Sequence, residues 1–149
     1  MKLFLDCEFN GFSGPLISLA LVDENGKAFY EVLHCRTPVS WVKQYVMPRL
    51  NKIPISLDEF QKKLAKFLMN YNEIHVIADW PEDISLLLNV LIIRPGHHLP
   101  IPPLTLELWK LPAIGAFTES ELPHNALYDA ISLSINYYEW EFRRGFEVI

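Results

Sequence analysis

Apolar positions repeat along this chain with two different periods, and each change of period marks an element. Lys2–Phe9 (KLFLDCEF) opens apolar and turns acidic; it reads as a strand with Leu3, Phe4 and Leu5 in the core. Gly11 and Gly14-Pro15 break it. Leu16–Val22 is a second apolar strand. Asn25-Gly26 is a hairpin signal, and Lys27–His34 pairs back as a third strand. The period then becomes helical. Ser40–Leu50 predicts a short helix that stops near Pro48. Ser56 and Glu59 form a capping box ahead of Leu57, Phe60, Leu64, Phe67 and Leu68, with Lys62, Lys63 and Lys66 on other faces. Glu73–Ala78 is an apolar strand. Asp79–Ile92 is a helix with Asp79 and Glu82 at capping-box spacing and Pro81 in its first turn. Arg94–Pro103 reads as a rigid loop and Leu104–Trp109 as a fifth strand. Asn125–Phe142 is a terminal helix with Leu127, Ile131, Ile135 and Tyr138 on one stripe.

A hairpin run followed by strand–helix alternation predicts an α/β fold of order β-β-β-α-β-α-β-α, with a mixed five-stranded sheet flanked by helices. With 149 residues, the expectation is one domain over 1–149. Half the residues are hydrophobic, enough for a sizeable core without disulfides or a structural metal. No apolar run reaches the ~18 residues of a membrane span, and MKLFLDCEF leaves no room for a signal-peptide apolar region. Cys7 and Cys35 show neither metal spacing nor a disulfide framework, so a reducing cytoplasm is expected.

Chemistry enters through acidic and imidazole residues in three short stretches. Asp6 and Glu8 are two apart on a strand, so both side chains leave the same face, with Cα atoms about 6.6 Å apart at ~3.3 Å rise per residue. Asp83 falls in the first turn of the helix after the fourth strand. Asp79, one turn earlier, is read as the helix cap or as a substrate-positioning group. His124 lies just before the last helix and Asp129 in its first turns. Hard divalent cations take oxygen ligands, and a histidine beside such carboxylates suits a general base. The net charge of −5 looks wrong for a nucleic-acid binder. Four of those negative charges belong to the candidate site, and two divalent ions would bring the loaded protein near −1. That suits a short nucleic acid held at one end rather than tight binding along a long duplex. His34, His75, His97 and His98 are assigned no role.

Asp6-x-Glu8, then Asp83, then His124-x4-Asp129-Ala130 within PHNALYDA, in that chain order, resembles the three motifs of the DEDDh superfamily of 3′-to-5′ exonucleases, the ribonuclease T and oligoribonuclease type. Asn125, four before Asp129, stands where the sibling class has Tyr. The resemblance implies a ribonuclease-H-like fold in which Asp6, Glu8, Asp83 and Asp129 hold two Mg²⁺ or Mn²⁺ and His124 takes a proton from the attacking water. It also implies that the segment after the first motif, Asn10, Gly11 and Phe12, cradles the terminal nucleotide, with Phe12 either stacking on a base or packing internally. The small stand-alone members it most resembles suggest a homodimer, with Lys62, Lys63, Lys66, Arg143 and Arg144 as candidates for an RNA-guiding surface. The chain departs from the family in carrying Asp79 where Asn is usual, and Phe9-Asn10-Gly11 after the first motif. The expected function is a metal-dependent 3′-to-5′ exoribonuclease acting on single-stranded RNA or short 3′ overhangs. Two alternatives stay open: the same chemistry on single-stranded DNA, and a non-catalytic nucleic-acid-binding protein.

Overall fold

Alternation along the first strand sends its side chains to opposite faces, and the fold is built on that split. The computed structural model describes residues 1–110 and 118–147, with side chains to 145. In chain order the elements are β1 (Lys2–Phe9), β2 (Leu16–Asp23), β3 (Ala28–Val32), α1 (Ser40–Tyr45) with a 3-10 turn at Met47–Arg49, α2 (Leu57–Leu68), β4 (Ile74–Ala78), α3 (Pro81–Leu91), β5 (Ile92–Arg94), β6 (His97–His98), β7 (Leu104–Leu108) and α4 (Ala126–Glu147). Five strands form one mixed sheet in the order β3-β2-β1-β4-β7. β1–β2 and β2–β3 are antiparallel; β1–β4 and β4–β7 are parallel. β1 is therefore the central strand, and strand order reverses direction between it and β4. In open α/β sheets, ligands favour the carboxyl ends of strands at such a reversal.

Leu3, Leu5 and Cys7 point to one face and pack with Phe60, Leu64 and Leu68 of α2 and Leu87, Val90 and Leu91 of α3. Phe4 points to the other and meets Leu133 and Tyr137 of α4. Asp6 and Glu8 continue the Phe4 face. Opposite Asp6 on β2 is Ala20, which packs with Ala126 and Ala130; all three are fully buried. Their methyl side chains let α4 lie close to the sheet beside Asp6. α1 and the 3-10 turn share this face, burying Val42, Val46 and Leu50 against Ile17 and Val32.

The Ser56 cap of α2 forms as expected, its hydroxyl accepting from the Glu59 amide at 3.2 Å. Four expectations need correction. First, Asp79 does not cap α3. Its N-cap is Trp80, with no side-chain hydrogen bond, and Glu82 instead accepts from the Trp80 indole and the Ser13 amide, each at 3.3 Å. Second, the 94–103 segment is not simply a loop. Ile92–Arg94 and His97–His98 pair as a two-stranded ribbon around Gly96, whose φ of 75° suits a residue without Cβ. Third, Ile131, Ile135 and Tyr138 of the α4 stripe are 37–45% exposed, while Ala126, Ala130, Leu133 and Tyr137 face the sheet. The helix is apolar on two sides; at its start Ala126 and Ala130 permit close approach to the sheet, and further along Leu133 and Tyr137 pack on Phe4 and Ile77. Fourth, Leu57, placed on the core stripe of α2, is exposed. No helix among the described residues is long and apolar enough to cross a membrane.

Candidate metal centre

Three elements deliver carboxylates to one place. β1 brings Asp6 and Glu8 on its α4 face. β4 ends at Ala78, Asp79 follows directly, and the chain turns through Trp80 into α3, whose first turn carries Asp83. α4 brings Asp129, whose amide bonds to the Asn125 carbonyl at 2.9 Å in the first turn. The result is two overlapping groups. Carboxylate oxygens of Asp6, Asp79 and Asp83 all lie within 4.8 Å of one another, as do those of Asp6, Glu8 and Asp129. Asp6 belongs to both. Among the described residues, no histidine joins either group.

These groups are in an environment that disfavours their charge. Asp83 is 2% exposed and Glu8 9%. One oxygen of Asp6 and one of Asp83 are buried without a hydrogen-bond partner. Burial pushes the Glu8 carboxyl up to about 8, with Asp129 adding to the effect. Burial also pushes Asp83 up to about 8, reinforced by Asp79 and Glu8 and partly offset by the Cys7 amide. Asp6 is held well above the usual carboxylate range, first by burial and then by Asp83, Glu8, Asp129 and Asp79. Desolvation likewise raises Asp79 and Asp129; for Asp129 the amide and imidazole of His124 pull the other way. Raised values follow from desolvation and like charge. Crowded carboxylates with unpaired buried oxygens are costly alone and fit a divalent cation, which supplies the missing positive charge. The all-oxygen donor set suits a hard divalent cation rather than a thiolate-seeking metal. A cleft of about 390 Å³ opens onto them, lined by Asp6, Asp79, Asp129, Trp109, Glu119 and Asn136 among others.

The remaining candidates fall around this centre. His124 sits at its edge. Its backbone has a φ of 69°, its amide donates to Asp129 Oδ2 at 3.1 Å, and its ring packs on Trp41 and Tyr45. Asn10 is spent on structure: its Oδ1 accepts from the Val39 amide at 2.8 Å and its Nδ2 donates to the Thr37 carbonyl at 3.0 Å. Gly11 has a φ of 75°, and a Cβ there would meet Val39 Cγ2 at 3.3 Å. Phe12 is 94% exposed, so it does not pack internally. On the candidate basic surface, Lys62 pairs with Asp58, Lys63 with Glu31 and Glu59, and Arg143 with Glu139.

Two contributors have roles that differ from the sequence reading or go beyond it. Asp79, read from the sequence as a helix cap or a substrate-positioning group, stands with Asp6 and Asp83 as a third carboxylate; its place directly after an apolar strand is the available signal. Asn125 was noted only for its spacing. It caps α4 by accepting from the Leu127 and Tyr128 amides, and its Nδ2 donates to the Arg49 carbonyl at 2.7 Å. Tyr30 completes this link, its hydroxyl donating to the Leu50 carbonyl at 2.7 Å and accepting from Asn125 Nδ2 at 3.4 Å. The start of α4, and with it Asp129 and His124, is thereby tied to the α1 segment. Compared with models of protein families and with curated proteins, the chain matches none.

Proposed function

We propose that this chain is a metal-dependent 3′-to-5′ exoribonuclease on a ribonuclease-H-like fold, releasing 5′-mononucleotides from single-stranded 3′ ends. The observation that carries the reading is the sharing of Asp6 between two carboxylate groups at the carboxyl ends of parallel β1 and β4. One shared carboxylate flanked by two others on each side suits a pair of cations a few ångströms apart, the spacing used in phosphodiester hydrolysis. When bound, such cations supply the charge that stabilises both the attacking and the leaving oxygen.

The chain's own residues account for the rest. Asp6, Glu8, Asp79, Asp83 and Asp129 would hold the ions. His124, fastened to Asp129 through its amide, takes the proton from the attacking water. The exposed Phe12 ring, on the loop that follows β1, offers a face on which the terminal base can stack. The cleft of about 390 Å³ matches a site for a small ligand or a chain end rather than a long duplex. The segregation of charge agrees: the acidic residues that make the protein net negative are concentrated where cations would neutralise them.

The direct test is incubation of 5′-labelled single-stranded RNA with the purified protein. A ladder that shortens from the 3′ end, requires Mg²⁺ and disappears in Asp6→Asn is the expected result. Intact RNA, or shortening that persists in chelator or in Asp6→Asn, would overturn the reading. A matched DNA oligomer in the same tube reports sugar selectivity, since the 2′-hydroxyl is the distinguishing group.

A further inference from the structure

Trp41 and Tyr45 supply no ligand to the carboxylate site, yet they hold the ring of His124, whose amide is bonded to Asp129 there. α1 is only six residues long, and its inward residue Val42 is fully buried, as is Val46 just beyond its end. Its outward residues are large aromatics that remain substantially exposed: Trp41 at 50% and Tyr45 at 36%. They lie 5.3 Å apart, centroid to centroid. The His124 ring closes the cluster, 4.9 Å from Trp41 at an interplanar angle of 82°, an edge-to-face contact, and 6.4 Å from Tyr45 at 58°.

The backbone side of His124 is fixed independently. Its amide is bonded to Asp129 Oδ2, and Asn125 anchors the next residue to Arg49 and Tyr30. A φ of 69° is an unfavourable conformation for a residue with a Cβ, and it persists only where neighbouring contacts hold it. The main chain of His124 is thus pinned to the carboxylates while its imidazole is pinned to α1. Among the described residues, Trp41 and Tyr45 are the aromatic partners of that ring.

We propose that Trp41, supported by Tyr45, is the positioning residue for His124, holding the imidazole of a residue whose amide is tied to Asp129 in the orientation that hydrolysis requires. The proposal rests on the nuclease reading only for the role it gives His124; the placement of the ring is tested separately. An edge-to-face aromatic pair contributes about 0.5–1.5 kcal/mol beyond its buried area. Its loss should therefore cost roughly twofold to tenfold in the population of correctly placed imidazole, and kcat should fall in proportion.

The experiment compares wild type, Trp41→Ala and Trp41→Phe. In the metal-free protein, the imidazole resonances of His124 are followed by NMR after subtraction of the ring-current shift of the Trp41 indole, with His34, His75, His97 and His98 as internal controls. The expected result is that Trp41→Ala moves the His124 resonances and leaves the other four in place, and that Trp41→Phe largely restores them. On single-stranded RNA, Trp41→Ala lowers kcat roughly twofold to tenfold, leaves KM and calorimetric Mn²⁺ affinity essentially unchanged, and is rescued by Trp41→Phe. His124 resonances that do not move in Trp41→Ala would overturn the proposal whether or not the protein degrades RNA. A rise in KM at constant kcat would also overturn it, by making Trp41 a substrate contact. If the resonances move and no RNA is degraded, the positioning stands and the nuclease reading fails.

Discussion

Replacing Asp83 with Asn should make the metal-free protein more stable at neutral pH, the reverse of what removing a buried hydrogen-bonding group usually does. Asp83 is 2% exposed, one of its oxygens has no partner, and its carboxyl is pushed from the usual 3.8 up to about 8. A carboxyl raised on folding adds nothing unfavourable below its unfolded value, and destabilises progressively as pH rises from about 4 toward about 8. At pH 7 the separation from the unfolded value is about three pH units, which corresponds to roughly 4 kcal/mol at about 1.4 kcal/mol per unit. The amide avoids this cost but leaves its own unpaired atom, a penalty of about 1–3 kcal/mol. The net gain expected is therefore about 1–3 kcal/mol, or a Tm higher by a few to about 10 °C for a chain of this length. Metal opposes this ranking, and reverses it where the variant's advantage is smaller than the gain from binding. At a Mn²⁺ concentration one hundred times its Kd, wild type should gain about 2.7 kcal/mol, and Asp83→Asn much less. The assay is thermal unfolding of both proteins at pH 5 and pH 8, with chelator and with Mn²⁺. Wild type in chelator should lose stability between pH 5 and pH 8, and the variant should lose less. A variant less stable than wild type at pH 8 in chelator would refute the claim that these carboxylates are held at an electrostatic cost.

Other substitutions probe how the site is built. Asp79→Asn should weaken calorimetric Mn²⁺ binding severalfold with little change in Tm, because Asp79 stands with Asp6 and Asp83 and makes no helix cap; unchanged binding with a lowered Tm would restore the capping role. Asn125→Ala should lower stability by about 0.5–2 kcal/mol through the lost cap, with a further loss from its bond to the Arg49 carbonyl, as read by denaturant unfolding; an unchanged midpoint would contradict this. Ala20→Leu should overpack the contact with Ala126 and Ala130, costing about 1–3 kcal/mol and displacing α4 with Asp129, so that Mn²⁺ affinity falls although no ligand has changed; a destabilised variant with wild-type affinity would show that Asp129 is not placed by this packing.

What was legible in the sequence followed the strength of local signals. The run LFLDCEF identified both the central strand and the face its acids share, because period-2 alternation assigns every side chain at once. Ser56 and the Asn25-Gly26 turn were equally readable, since caps and tight turns carry their own residue chemistry. Of the two roles read for Asp79, the cap fails: an acid just before a helix satisfies the capping pattern, and only tertiary placement shows that Trp80 takes the cap position. The α4 stripe is hard to read for a different reason: the helix has two apolar sides, and periodicity alone does not say whether Ile131 and Ile135 or Ala126, Ala130, Leu133 and Tyr137 meet the sheet. The ribbon at Ile92–Arg94 and His97–His98 was within reach, since Pro95-Gly96 between β-branched and histidine residues is a turn signal. The contact between Trp41 and His124 joins residues far apart in sequence, and nothing local announces it.

The claim on which the account depends is that Asp6 lies between two carboxylate groups so that both can take a divalent cation. Anomalous diffraction from crystals soaked in Mn²⁺ tests it most directly. The account predicts two peaks flanking Asp6, one with Asp79 and Asp83 and the other with Glu8 and Asp129. No anomalous density at the cluster, or Mn²⁺ bound only elsewhere on the protein, would contradict it.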